Sequence, residues 1–248
     1  MAGVLVVTGG GRGIGAATAR LAAARGYDVA VNYRRDEDAA AKVVAKVEAQ
    51  GRRAIAVQGD VTVEADVLRL FETVDRELGL LTGLVNNAGA AGRGSRLEDA
   101  EAENIRWIIE LNVVGSLLCA REAVRRMSTR RGGKGGAIVN LSSAAATLGS
   151  PGEFIWYAAS KGAVDTFTKG LAIEVATEGI RVNAVAPGLI DTQIHTDSGM
   201  PDRVERMAPT LPMQRAGSPE ETAECILWLL SDAASYVTGD VLRVAGGR

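Results

Sequence analysis

The sequence predicts a doubly wound α/β fold, one mostly parallel sheet of seven strands with helices on both faces. Three observations predict it. Short apolar runs alternate with longer helical patterns along the whole chain. Such alternation marks strand–helix–strand units closed by right-handed crossovers, with the sheet covered on both sides. A glycine-rich turn, Thr8-Gly9-Gly10-Gly11-Arg12-Gly13-Ile14-Gly15, joins the first apolar run to the first helical stretch. No shift in composition marks a linker, and there is no repeat or low-complexity tract, so residues 1–248 read as one domain.

The elements follow in order. Residues 3–8 (GVLVVT) read as a buried strand and 13–25 as a helix. Residues 27–33 (YDVAVNY) form the second strand, followed by a helix over 36–50 whose Lys, Glu and Gln face water. Strands at 54–58 and 81–86 flank a helix at 64–78. Residues 102–131 read as a long helical region broken near its start. Strand 137–142 (AIVNLS) precedes a long helix at 157–178, and strand 180–186 (IRVNAVA) follows. A helix at 219–231 and a last strand at 241–244 complete the pattern. Residues 189–217 are different, with Pro201, Pro209, Pro212 and Gly199 and little periodicity. They read as a loop with short helices at a strand's carboxyl end, where ligands bind in this architecture.

The totals exclude several classes. Lys plus Arg is 28 and Asp plus Glu is 30, a net charge of −2, so no bulk basicity points to nucleic acid or an anionic membrane. The basic run from Arg121 to Lys134 reads as a solvated helix face. Cys119 and Cys225 sit in apolar helical patterns as buried thiols, and with His195 the single histidine no metal site is expected. The chain opens on MAGVLVVTGG with no signal-peptide pattern, and no apolar run is long enough to span a bilayer, so a cytoplasmic location is expected.

The glycine turn lets the backbone approach a pyrophosphate with no Cβ in the way. The helix that follows offers free N–H groups and a positive dipole end to that anion. The spacing is not a strict G-x-G-x-x-G, and the position between first strand and first helix carries the reading. The end of the second strand bears on which dinucleotide. A carboxylate there holds the ribose 2′-hydroxyl of NAD. Here the chain reads Asn32-Tyr33-Arg34-Arg35, and Asp36 comes late enough to cap the next helix. Arg12 with Arg34 or Arg35 can meet a 2′-phosphate, which favours NADP(H) over NAD(H).

Tyr157 and Lys161 are spaced i, i+4, so they share a helix face. A neighbouring ammonium is expected to stabilise the phenolate and lower the tyrosine pKa. The strand at 137–142 brings Ser142 and Ser143 to a strand end, where a hydroxyl can hydrogen-bond a carbonyl oxygen. Neither serine has a histidine or acid placed to activate it, which argues against a serine hydrolase.

With these residues in place, the chain resembles the short-chain dehydrogenase/reductase family from end to end. The motifs are TGGGRGIG (Thr8 to Gly15), DV (Asp60, Val61), NNAG (Asn86 to Gly89), LNVVG (Leu111 to Gly115), the serine of NLSS, YAASK (Tyr157 to Lys161) and APGLIDT (Ala186 to Thr192). The stretch SPGEFIWYAASKGAVDTFTKGL also resembles bacterial members called 3-oxoacyl-carrier-protein reductases or glucose 1-dehydrogenases. The resemblance implies a Rossmann-type sheet and hydride transfer between a nicotinamide and a carbonyl or alcohol carbon. It implies that Tyr157 is the general acid in reduction and general base in oxidation, and that Lys161 lowers its pKa and binds the nicotinamide ribose. Ser143 would orient the substrate oxygen, and Asn112 would anchor a water in a proton relay beneath Lys161. Asp60 and Val61 would flank the adenine, with Asn87, Ala88 and Gly89 along the adenosine. Pro187, Gly188, Ile190 and Thr192 would hold the carboxamide and close over the nicotinamide. A homotetramer through the two long helices is the family's common assembly.

Two other readings stand beside this one. One is NAD-dependent oxidation of a sugar or other polyol. The other is a non-catalytic dinucleotide-binding sensor, against which the full set of Asn112, Ser143, Tyr157 and Lys161 argues. The substrate, a small carbonyl or alcohol compound, would be set by the loop at 189–217, with His195 read as an exposed loop residue.

Overall fold

The computed structural model describes residues 3–248. The element order is β1 (Val4–Val7), α1 (Gly13–Ala24), β2 (Asp28–Tyr33), α2 (Glu37–Glu48), β3 (Ala54–Gln58), α3 (Glu64–Glu77) and β4 (Leu81–Asn86). Next come α4 (Ala102–Ile109), α5 (Gly115–Met127), β5 (Gly136–Leu141), α6 (Ala145–Leu148), α7 (Ile155–Val175) and β6 (Ile180–Pro187). The chain finishes with α8 (Ile194–Asp197), α9 (Arg203–Met207), α10 (Pro219–Leu230) and β7 (Val241–Val244).

The seven strands form one sheet in the order β3-β2-β1-β4-β5-β6-β7, and every pairing is parallel. The strands are apolar on both sides because both faces are covered. In β1, Val4 and Val6 face a core with Phe71, Leu70 and Val74 of α3, Ala123 and Met127 of α5 and Ala172 of α7. Leu5 and Val7 face the opposite core, with Ala19 and Ala22 of α1, Val43 and Val47 of α2 and Ile226 and Leu230 of α10. A small third cluster, Ala91, Ile108, Phe154 and Trp156, lies beyond the sheet's edge and underlies the site.

Because all strands run the same way, their carboxyl ends meet along one edge. The chain winds outward from β1 to β3, then crosses to β4 and winds the other way. The β1/β4 boundary is therefore the topological switch point, where this architecture leaves a crevice for a ligand.

Two local expectations are corrected. The break in the 102–131 region is a five-residue π-helical turn, Glu110–Val114, between α4 and α5, well inside the region. A π turn widens the ring of backbone bonds and concentrates at functional sites. The basic run is only partly a solvated face, since Arg121, Arg125 and Arg126 all pair with the buried Glu122. Asp36 does cap α2 as expected, its side chain accepting from the Ala39 N–H at 3.0 Å.

Candidate active site

The glycine turn is built to exclude side chains. Gly9 and Gly13 adopt positive φ angles of 60° and 50°, and a Cβ on Gly15 would come within 2.5 Å of Asn87 Nδ2 and 2.6 Å of the Gly9 carbonyl. The turn is pinned from β4. Asn87 Nδ2 donates to the Thr8 and Gly9 carbonyls at 2.9 and 3.0 Å, and the Thr8 hydroxyl accepts from the Asn87 and Ala88 N–H groups at 3.0 Å. Asn32 supports it from the other side, accepting from the Gly9 N–H at 3.3 Å and donating to the Val57 and Gly59 carbonyls. Asn32 and Asn87 thus spend their side chains on shaping the turn. The first intrahelical bond of α1 runs from the Ala16 N–H to the Arg12 carbonyl, so the N–H groups of Gly13, Ile14 and Gly15 point past the helix end. This cradle, which side chains would fill, fits a dinucleotide pyrophosphate.

Around the cradle lie the other residues the sequence singled out. Arg34 Nε pairs with Asp60 Oδ2 at 2.9 Å, and Arg12 Nη2 pairs with Asp197 Oδ2 of α8 at 3.2 Å. Arg35 is exposed with no carboxylate within ion-pair distance among the described residues, and Tyr33 lies half-buried beside it. Val61 packs in the core against Gly115. Gly188 abuts Ala245, Ile190 is buried, and Thr192 Cγ2 would meet a Cβ on Gly13 at 3.3 Å. The loop after β6 therefore passes directly over the glycine turn. The Pro187 carbonyl accepts from the Ala144 N–H at 2.8 Å, tying that loop to the end of β5.

Tyr157 and Lys161 lie on one face of α7, with Lys161 Nζ 5.7 Å from the Tyr157 ring centroid. Lys161 is 5% exposed and donates to the Leu141 carbonyl at the end of β5 at 2.6 Å. Burial lowers its pKa to about 8 against the opposing charge of Asp165. Burial also raises the Tyr157 phenol, and it outweighs the Ser143 hydrogen bond and the Arg203 charge, which pull downward. This corrects the expectation of an acidified phenol: the desolvation cost of phenolate dominates, so at neutral pH Tyr157 keeps its proton.

The structure also separates the two serines. Ser142 is 3% exposed and bonds the Lys161 carbonyl at 3.4 Å, whereas Ser143 is half-buried, reaches Tyr157 and accepts from the Ala145 N–H at 3.1 Å. Asn112 sits in the π turn with no exposure. Its amide donates to the Ala90 carbonyl and Ser160 hydroxyl at 2.9 Å, and its oxygen accepts from the Ala90 N–H at 3.0 Å. A Cβ on Gly89 would lie 3.0 Å from Asn112 Oδ1 and 3.4 Å from Lys161 Nζ, so these groups border one small space. Asn112, Ser143, Tyr157 and Lys161 thus converge from the π turn, β5 and α7 beside the glycine turn.

Some residues were not legible in the motifs. His195 is half-buried rather than exposed; its Nε2 lies 2.9 Å from the Ile190 carbonyl, and burial lowers its pKa. Trp156 Nε1 donates to the Ala91 carbonyl at 3.0 Å and braces the start of α7. Arg203 of α9, paired with Glu153, stands close enough to act on both Tyr157 and His195. Among the described residues there is no cluster of metal-ligating side chains.

A family model described as enoyl-(acyl carrier protein) reductase matches residues 9–248. The uncharacterized oxidoreductase YgfF of Escherichia coli (strain K12) is 51% identical over 99% of each chain. The chain is a short-chain dehydrogenase/reductase. A 3-oxoacyl-[acyl-carrier-protein] reductase of Synechocystis sp. (strain ATCC 27184 / PCC 6803 / Kazusa) is 40% identical over 98% of this chain and 96% of its own. Among solved structures, a short-chain dehydrogenase of Burkholderia cenocepacia J2315 in complex with NADP superposes with a TM-score of 0.90. It is 34% identical over 98% of this chain and 96% of that one. The seven-strand sheet is thus the sheet of this family's dehydrogenases, and the chain is an oxidoreductase of the group that interconverts alcohols and carbonyls. Among the described residues, no helix is long and apolar enough to cross a membrane.

Proposed function

We propose that this short-chain dehydrogenase/reductase uses NADP(H) to reduce small carbonyl compounds, and in reverse oxidises the corresponding alcohols. The observation that carries the reading is the meeting of Tyr157, Ser143, Lys161 and Asn112 beside a glycine cradle at the sheet's switch point. When bound, the dinucleotide supplies or accepts the hydride.

The chain's own residues do the rest. Ser143 and Tyr157 donate hydrogen bonds to the substrate oxygen and hold the carbonyl in one orientation. Tyr157, kept protonated by burial, gives its proton to that oxygen as negative charge develops. Lys161, buried and with a depressed pKa, stands next to the phenol to stabilise the charge left there and to hold the nicotinamide ribose. Asn112, fixed through Ala90 and Ser160, anchors the path by which the proton is replaced.

Preference for NADP(H) is supported by the cations after β2 and by the absence of a carboxylate at the tip of that strand. Arg35 is the most available of the three arginines, since Arg12 and Arg34 already have acidic partners. A homotetramer joined through the two long helices is part of the same reading.

The test is NADPH oxidation over a panel of ketones, 3-oxoacyl thioesters and sugars, with Tyr157→Phe alongside. Turnover that disappears in the variant is expected. Tight NADPH binding with no turnover on any carbonyl would instead favour the non-catalytic sensor.

A further inference from the structure

Arg203 lies outside every motif of the family, in the loop that covers the site. Its guanidinium stacks on Phe154, 5.3 Å from the ring centroid. Its Nη1 donates to the Glu153 carboxylate and contacts Met200 Sδ at 3.5 Å. The Arg203 side chain is 13% exposed and that of Glu153 28%, so the pair is largely taken out of water. The Glu153 carbonyl accepts from the Ser95 N–H at 3.0 Å. Three loops, those after β4, α6 and β6, are therefore fastened together at this point.

The surroundings are apolar. Phe154 and Met200 pack with Ala91, Ile108, Trp156 and the Tyr157 ring. Packing is close enough that a Cβ on Gly94 would come within 2.6 Å of Met200 Cε and 3.0 Å of Phe154 Cε1. The Arg203 charge nevertheless reaches the reacting end, pulling against the burial that raises Tyr157 and adding to the burial that lowers His195.

We infer that Arg203, neutralised by Glu153 and set against Phe154 and Met200, is a specificity-determining residue that selects carbonyl substrates with an apolar body and no negative charge near the reacting carbon. The inference rests on the proposed reading of Tyr157 as the group that meets the substrate oxygen. A guanidinium this buried would draw a carboxylate if it stood alone. Glu153 already fills that role, so an anionic substrate must share the cation with a second carboxylate or displace it. Sharing sets two like charges side by side out of water, and displacement leaves Glu153 unpaired. A neutral substrate meets neither penalty and gains contact with the partly exposed Met200.

The experiment measures binding of ethyl acetoacetate and of acetoacetate to the full chain saturated with NADP+, by calorimetry, with NADPH-dependent turnover followed in parallel. Wild type is expected to bind the ester at least about tenfold more tightly than the acid, and Glu153→Gln to move that ratio toward the acid by about tenfold or more. Glu153→Gln/Arg203→Met is expected to lose the gained affinity for the acid, and thermal melting checks that each variant is folded. Equal affinities in wild type, a preference for the acid, a ratio unmoved in folded Glu153→Gln, or no binding of the ester would each overturn the inference. Turnover separates this claim from the one beneath it. An ester that binds selectively but is never reduced removes the catalytic reading alone, whereas reduction with an unmoved ratio removes the selectivity alone.

Discussion

Lys161 Nζ stands 5.7 Å from the centroid of the Tyr157 ring while donating to the Leu141 carbonyl at 2.6 Å. The amine is thus held, buried, between α7 and the end of β5, beside a phenol that is half-buried. Burial makes the ammonium and the phenolate each costly, lowering the pKa of Lys161 to about 8, where it is still mainly charged at pH 7, and raising that of Tyr157. A neutral phenol is a competent proton donor.

The buried amine makes stability depend on pH. Its folded pKa of about 8 lies below the ordinary 10.5, so between those values the unfolded chain binds a proton that the fold does not. Stability contributed at this position therefore rises with pH across that window, and below about pH 8 the full penalty is present. The depression corresponds to roughly 3 kcal/mol at 1.36 kcal/mol per unit. Lys161→Met is expected to lose turnover, yet at pH 7 to be at least as stable as wild type, with wild type gaining on it toward pH 10. Denaturant midpoints measured from pH 7 to 10 check this; a difference that stays flat with pH refutes it.

Tyr157→Phe removes one hydroxyl and keeps the ring packed against Phe154 and Trp156. The loss is expected to fall on the chemical step, with kcat lower by roughly 10²- to 10⁴-fold, the scale of a missing general acid. Dinucleotide affinity and melting temperature should hardly move. Equal losses of turnover and of NADPH affinity would mean that the residue binds rather than reacts.

The parallel sheet and the glycine turn are legible in the chain because period and punctuation report them locally, whereas the order of the strands is not. Residues 3–8, 81–86 and 137–142 are rich in apolar residues on both sides because both faces of their strands are covered, and Gly9 and Gly15 are required by contacts with Asn87 and Ala88 one strand away. Tyr157 and Lys161 are legible because a helix sets their spacing. The π turn around Asn112 is not, since ELNVV has no pattern that distinguishes it from α-helix. Arg203 and Glu153 are not either: they lie fifty residues apart in loops without periodicity, and only tertiary packing brings them together. The direction of the Tyr157 shift also escaped the sequence, because spacing reveals the neighbouring amine but not the burial that raises the phenol.

The two arginines after β2 should separate in a cofactor measurement. Arg34 is tied to Asp60 at 2.9 Å, while Arg35 has no acidic partner in reach among the described residues. Arg35→Ser is expected to weaken NADP binding by about tenfold or more, as fits one lost charge-assisted contact, and to leave NAD binding unchanged. The loss should shrink as salt is raised, since the contact is exposed. Fluorescence titration with both dinucleotides checks it. Parallel weakening of NAD and NADP would assign Arg35 to the shape of the pocket instead of to a 2′-phosphate.

On the far side of the same α5 that follows the π turn, Glu122 gathers three arginines. Its carboxylate is 2.7 Å from Arg125, 2.9 Å from Arg126 and 3.3 Å from Arg121, and Glu122 is 2% exposed. Burial pushes its pKa up, but Arg126 and its neighbours prevail and hold it below the ordinary 4.5. A carboxylate so depressed stabilises the fold fully above its unfolded pKa and stops doing so as pH falls through the folded value. Glu122→Gln keeps the size and removes the charge, leaving Arg126 with Asp75, the Phe71 ring and the main-chain carbonyl of residue 122. Removing this charge costs about 1–2 kcal/mol, less than a fully buried pair, because Arg121 keeps Glu64, Arg126 keeps Asp75 and Arg121 and Arg125 are partly solvated. The stability gap between wild type and Glu122→Gln should therefore be constant from pH 6 to 8 and close below pH 4.5. Were the gap to widen in acid, the carboxylate would not be the ion that holds these arginines.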